Sequence, residues 1–510
     1  MYILHRIKVI VFLIAITTGC ASLPKEVIHP DNPITARENS TLSTLENTFT
    51  RAKSHHNNSA VLLQKTGWDA LAQRLALIET AEHTIDIQYY IWNSDITGHY
   101  LASRLIAAAD RGVKVRVLLD DINLNERESL LTTIDAHPQI EIRIFNPIPS
   151  RRGVAKWFNL LGDFSRLNRR MHNKSFTVDG VLSVVGGRNI GDEYFDFSDD
   201  INFRDRDALV MGAVVPEIQK SFTEYWNSLW SYPVKLLGGK SNSKSALLAQ
   251  VTPPQYKHYP ALPEGNEAAY QFLQKVMKDM IFVDASFVYD KPVPLDVNNT
   301  SMPKATALFI DNLSRQAQHE VLLESAYLIF DDRQLNAWQK LILDGVEVKA
   351  LTNSMASNDL VTNHSGYAGR RKEMLEKGIH LFELKPETSL CIKSTKDVSK
   401  CAPKTAYGLH AKSIVFDRKL AVIGSFNFNL RSTYLNTESL LIIESASIGQ
   451  SLSSDMEKAM SDDNSWSINL NKGQIRWHSE NKVWESEPET HLSERIISSF
   501  LQLLPIEKYL

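Results

Sequence analysis

The chain has 510 residues, 43% hydrophobic and 23% charged, which excludes a disordered polymer and leaves room for two ordinary domains or one large internal repeat. Its formal net charge of -3 provides no global cationic field of the kind that captures a polyanionic backbone. Nucleic acid is therefore not the expected partner.

Residues 1–20 place Arg6 and Lys8 ahead of an apolar run from Val9 to Ile16, closed by Thr17-Thr18-Gly19-Cys20. That is the outline of an export signal, with an apolar core too short to span a bilayer. The terminal cysteine is similar to the lipidation site of bacterial lipoproteins, with Thr17 standing where such signals carry Leu, and it predicts an acylated Cys20 at the head of the mature chain. The expected location is a bacterial cell envelope membrane, facing the periplasm. Residues 21–60 are polar and rich in Asn, Ser, Thr and His, which reads as a tether.

A first half is expected over residues 61–235. Leu71, Leu75, Leu77 and Ile78 carry a helical apolar period, and Thr84 to Trp92 alternates as a strand does. A second helix–strand unit runs from Leu101 through Ala107-Ala108-Ala109, turns at Arg111-Gly112, and enters Val113-Lys114-Val115-Arg116-Val117-Leu118. Alternating strands and helices imply an α/β sheet covered by helices. Asp344-Gly345-Val346-Glu347-Val348-Lys349-Ala350-Leu351 repeats the second phrase 233 positions later, which predicts a second half over residues 301–450. The Gly- and Pro-rich residues 236–300 read as a connecting segment. Residues 451–510 read as a tail whose Ile496-Ile497, Phe500-Leu501 and Leu503-Leu504 are amphipathic at helical spacing, suited to docking on the core or to a membrane surface.

The chemistry sits in a motif that occurs twice, 238 positions apart: His172-Asn173-Lys174 followed by Asp179, and His410-Ala411-Lys412 followed by Asp417. In both, six residues separate the Asp from a glycine turn, Gly186-Gly187-Arg188-Asn189 or Gly424-Ser425-Phe426-Asn427. Strand alternation puts His and Lys on one side. A phosphodiester is an anion, so its attacker must be uncharged and the charge developing on its oxygens must meet fixed donors. One neutral imidazole can attack phosphorus while the other trades a proton with the leaving and entering oxygens. Lys174 and Lys412 would hold the non-bridging oxygens as point charges, with Asn189, Asn427 and Ser425 adding neutral donors.

Each imidazole calls for a carboxylate to fix its tautomer. Glu438 lies 28 positions after His410. In the first half Asp205 is chosen over Asp207, although Arg204-Asp205-Arg206-Asp207 also suits a surface salt-bridge ladder. Cys391 and Cys401, in an exported chain, are expected to form a disulfide that ties off the polar loop between them, the alternative being two free thiols. No clustered ligand set implies a metal, and no cofactor is expected.

These residues resemble the phospholipase D superfamily, whose signature is this duplicated motif. Arg166 to Gly180, Val185 to Asp192, Gly424 to Asn429 and Arg431-Ser432-Thr433 look like the branch of bacterial cardiolipin synthase C type. The resemblance implies a duplicated α-β-α sandwich with two pseudo-symmetric halves forming one active site. It also implies a phosphatidyl group carried on histidine and handed from a phospholipid to phosphatidylglycerol. A hydrolytic phospholipase D, a nuclease of the same superfamily and a non-enzymatic lipid-binding relic are the alternatives. By family analogy His172 is the nucleophile and His410 the acid/base, with Asp179 and Asp417 supporting structure. Gly187 departs from the usual Gly-Ser and leaves one hydroxyl donor missing on that side. Arg151-Arg152, Lys156-Trp157-Phe158, Leu160-Leu161 and Arg169-Arg170 suit an anionic membrane surface, or a solvated amphipathic helix.

Overall fold

The computed structural model describes residues 39–53, 59–124, 128–148, 164–237, 251–292, 302–504 and 507–510, together with 27, 241, 243, 244 and 248. The signal with Cys20, most of the tether and the cationic-apolar stretch from Arg151 to Leu161 lie outside the described residues.

The first half supplies β1 (Ser59–Gln64), β2 (Thr84–Tyr89), β3 (Lys114–Asp120), β4 (Ile140–Phe145), β5 (Ser175–Val178), β6 (Leu182–Gly186), β7 (Ile201–Arg204), β8 (Asp207–Met211) and β9 (Ser231–Pro233). The second supplies β10 (Ile281–Tyr289), β11 (Glu320–Ser325), β12 (Glu347–Asn353), β13 (His380–Leu384), β14 (Ala406–Leu409), β15 (Lys412–Phe416), β16 (Leu420–Gly424), β17 (Ser439–Glu444), β18 (Ser465–Asn471), β19 (Gln474–Ser479) and β20 (Lys482–Trp484). All but β7 and β14 join one sheet of 18 strands, in the spatial order β9-β4-β3-β2-β5-β6-β8-β1-β10-β17-β16-β15-β11-β12-β13-β18-β19-β20.

That order is a pseudo-twofold about the antiparallel contact of β1 with β10. The parallel run β2-β3-β4, flanked by antiparallel β5 and β6, answers the parallel run β11-β12-β13, flanked by β15 and β16. The parallel strands of the first half alternate Val, Ile and Leu with polar residues, of which Asp86 of β2 and Arg116 of β3 are themselves buried and paired at 2.7 Å. The repeated glycine phrase is explained by backbone conformation: Gly112 and Gly345 close helices at φ +100° and +97° before the chain enters β3 and β12. A residue with a Cβ is strained there. An apolar seam runs beneath the central strands of both halves, through Val61, Val210, Val283, Leu441 and Ile443. It is covered by Ile218, from the helix Val215–Trp226, and by Leu452 and Met456, from the helix Ala446–Met460.

Two segments differ from the sequence reading. Residues 236–300, read as connection, contain the helix Asn266–Met277, packed on the helix Gly67–Thr80, and the seam strand β10. Their Pro-rich flanks mask a nine-residue strand whose burial is partial. Residues 451–510, read as a tail, continue the helix Ala446–Met460 and add β18, β19 and β20 to the sheet before the helix Leu492–Leu501.

Candidate active site

The two motifs fold alike. Asp179 and Asp417 adopt φ of 50° and 51° at the ends of β5 and β15. Each carboxylate accepts three backbone N–H groups from the segment entering the neighbouring parallel strand: Glu82, His83 and Thr84 at 3.1, 2.8 and 2.9 Å, and Gln318, His319 and Glu320 at 2.9, 2.8 and 3.0 Å. These aspartates stitch strands together, and neither lines the site cavity.

Both imidazoles open on one cavity of about 680 Å3, which Asn189, Asn427 and Arg431 also line. His172 Nδ1 lies 2.8 Å from Glu438 Oε2, and His410 Nδ1 lies 2.5 Å from Asp205 Oδ2. The pairing is crossed: each carboxylate belongs to the half opposite its imidazole, whereas sequence proximity put Glu438 with His410 and Asp205 with His172. Two short parallel ladders cause the crossing. β7 pairs with β14 so that Leu409 faces Arg204, and the His410 amide donates to the Arg204 carbonyl at 2.8 Å. An isolated bridge sets Met171 beside Thr437, and the His172 amide donates to the Thr437 carbonyl at 2.9 Å. In each ladder the next residue along both chains is the catalytic-type pair.

The two pairs are supported differently. Glu438 accepts hydroxyl hydrogen bonds from Ser425 at 2.5 Å and Ser432 at 2.6 Å, and its backbone N–H donates to the Asp290 carboxylate at 3.0 Å. Asp205 accepts the Arg206 amide at 2.8 Å. The reading of Ser425 as a phosphate donor is thus corrected: its hydroxyl is fully buried, turned toward Glu438, and absent from the cavity wall. Gly187 is its counterpart in the first half, and a Cβ there would stand 2.5 Å from Asp205 Oδ1. The shorter aspartate carboxylate occupies the space that a serine side chain would need. The Arg-Asp run is no surface ladder either, since Asp205, Arg206 and Asp207 are all buried and Asp207 pairs with Arg74 at 2.8 Å.

Behind the imidazoles, Lys174 and Lys412 are buried and donate to the carbonyls of His172 and His410. Burial lowers the Lys174 ammonium to about 7 and Lys412 to about 8, against the pull of Glu438 and Asp205. Burial also lowers His172 to about 4 and His410 to about 3, with each motif's own lysine adding to the effect and each carboxylate opposing it. Burial alone would raise the two carboxylates, but the imidazole and lysine facing each outweigh it and hold both below their ordinary range. Near neutral pH the imidazoles are therefore uncharged, with partly protonated lysines behind them.

Tyr90 packs edge-on against His172 at 4.7 Å between ring centroids, and Tyr194 against His410 at 5.0 Å. Asn189 accepts from the Ile91 amide at 3.3 Å and donates to the Tyr194 hydroxyl at 3.0 Å, while Asn427 Oδ1 is buried without a hydrogen-bond partner. Tyr90, Tyr194 and Asp290 were given no role in the site from the sequence, and Ser432 entered only through the family-like run Arg431-Ser432-Thr433, because none repeats between the halves. Cys391 and Cys401 are joined by a disulfide with their Cα atoms 5.8 Å apart. Among the described residues, no group of three or more His, Cys, Asp and Glu is arranged to hold a metal ion.

A duplicated sheet that closes two carboxylate-held imidazoles over one cavity defines a phospholipase D-type transferase, and the chain belongs to the family described as "Cardiolipin synthase, PLD-like domain", matched over residues 75–230 and 310–460. It is 35% identical over 458 residues to cardiolipin synthase C of Escherichia coli (strain K12), covering 86% of this chain and 93% of that protein. It is also 31% identical over 473 residues to an uncharacterized protein of Helicobacter pylori, covering 89% of this chain and 90% of that one. The crystal structure of phosphatidylserine synthase from Haemophilus influenzae shares the fold, with a TM-score of 0.57 and 13% identity over 92% of this chain and 100% of that one.

Proposed function

We propose that the protein makes cardiolipin by moving a phosphatidyl group from one phospholipid to a hydroxyl of phosphatidylglycerol through a phosphohistidine on His172. The observation that carries this reading is the pair of imidazoles facing one cavity, each with Nδ1 committed to a carboxylate, so that both Nε2 atoms are left for phosphorus and for proton transfer.

His172 Nε2 attacks phosphorus and the bond to the headgroup oxygen breaks, with His410 delivering a proton to that oxygen. The acceptor hydroxyl then gives its proton to His410, and its oxygen displaces His172 from phosphorus. This order is the one the family resemblance implies. Two hydroxyl donors back Glu438 beside His172 and one amide backs Asp205 beside His410, so the two half-sites are not equivalent. The arriving phosphodiester brings the negative charge that lets the lowered His410 take up its proton.

Phospholipid substrates fit the family membership. An envelope membrane facing the periplasm fits the lipoprotein-like Cys20 and the Cys391–Cys401 disulfide, which suits an oxidising compartment. Incubating purified enzyme with labelled phosphatidylglycerol, with and without phosphatidylethanolamine, and resolving the lipids tests the reading. Cardiolipin is the expected product, and phosphatidic acid alone would replace the transferase by a hydrolase.

A further inference from the structure

The helix Leu492–Leu501 buries only Ser498. Leu492, Ile496 and Phe500, at successive four-residue steps, are 66%, 60% and 61% exposed, and Leu503 beyond the helix is 80% exposed. A helix whose apolar stripe served only to dock on the core would turn that stripe inward. Here the helix packs on Val361–Glu376 by its other side, and the stripe faces out.

Its position relates the stripe to the catalytic cavity. The helix Val361–Glu376 begins at the cavity mouth, where Leu360, Thr362 and Asn363 form part of the wall, and Gln502 lies over Gly369, about 10 Å further along its axis. The chain then folds back, Glu507 pairs with Arg370 at 2.9 Å, and Tyr509 and Leu510 line the same cavity. Exposed Ile122 and Leu360 also stand in its wall, and exposed Phe164 packs its ring on Tyr509 at 5.1 Å. Exposed apolar side chains thus stand both in the cavity wall and on the helix whose following residues, Tyr509 and Leu510, return to that wall. A row of large apolar side chains turned outward on a helix suits contact with an apolar medium.

We propose that this surface inserts shallowly into a phospholipid bilayer, with the helix Leu492–Leu501 lying in the interface and the cavity mouth pressed against the headgroups. The inference rests on the reading of phospholipids as substrates and adds where the membrane is met. A two-chain lipid reaches imidazoles at the bottom of a cavity only if its acyl chains stay in an apolar medium while the headgroup moves inward. A rim that is itself apolar and seated in the bilayer provides that path.

The full chain carrying Cys20→Ser, which removes any acyl anchor, is examined by hydrogen exchange with and without vesicles of phosphatidylglycerol and phosphatidylethanolamine. Residues 492–504 and the segment around Leu360 should become protected with vesicles. In the same background, replacing Ile496, Phe500 and Leu503 by Ser should lower activity on vesicles by about tenfold or more, and leave activity on dissolved short-chain phospholipid within about twofold, since the loss is one of insertion. Equal losses on both substrates, undiminished activity on vesicles, or protection that appears on concentrating the protein without vesicles would each overturn the proposal, the last in favour of a second copy of the chain. Should no lipid be turned over in any form, the functional reading fails, and the exchange experiment still decides the docking.

Discussion

Exchanging Glu438 for glutamine tests the crossed pairing directly. The substitution keeps the size of the side chain and one of the two oxygens that accept from Ser425 (Oε2) and Ser432 (Oε1), and removes the charge that faces His172 at 2.8 Å. When His172 attacks phosphorus its ring becomes cationic, and a charge-assisted hydrogen bond to a buried carboxylate contributes about 2–3 kcal/mol to that state. At about 1.4 kcal/mol per factor of ten, phosphorylation of His172 should slow by about 30- to 150-fold. A phosphodiester with a 4-nitrophenolate leaving group needs no acid, so a stopped-flow burst of nitrophenolate isolates this step. Glu438→Gln should slow the burst. Asp205→Asn, which disables His410, should leave the burst rate within about threefold of wild type and depress the steady state instead. A slowed burst in Asp205→Asn beside an intact one in Glu438→Gln would refute the pairing of Glu438 with a nucleophilic His172.

The pH dependence of kcat/KM should be a bell. Activity should fall below about pH 4 as His172 becomes protonated and loses its nucleophilic form, and again above about pH 7 to 8 as Lys174 and Lys412 lose the positive charge they place behind the imidazoles. Asp179→Ala strips three backbone N–H groups of their acceptor and should cost about 3 kcal/mol in denaturant unfolding, with the activity of the folded fraction unchanged. Gly187→Ala drives a methyl into Asp205 and should lower turnover by at least about tenfold with little change in melting temperature. Cys391→Ser opens a loop of sequence separation 10 and should be less stable than the oxidised wild type by about 2–3 kcal/mol, a difference that should vanish against the reduced wild type.

The sequence made the duplicated motif, the glycine turns and the alternation of β2 and β3 legible because each is a local pattern repeated with a fixed period. The membership of Glu438 and Asp205 in the site was legible too, since buried imidazoles need partners. Which carboxylate serves which imidazole was not. Distance along the chain favours the same half, and the answer lies in the β7–β14 ladder and the Met171–Thr437 bridge, both of which form only between halves. Ser425 was misread because the turn that carries it is local, while the Glu438 carboxylate that takes its hydroxyl is 13 residues on and aligned by the β16–β17 pairing. β10 escaped notice for a similar reason: its worth lies in bridging β1 and β17, which no window of the sequence displays.

The crossed carboxylates make chemistry a report on completed folding. A first half folded alone presents His172 with nothing at Nδ1, free to adopt either tautomer, and a second half alone leaves His410 in the same condition. For a member of a family that works on phospholipids, a chain folded only in part is thereby harmless to a bilayer it meets. Its reactivity switches on only when the last half has closed.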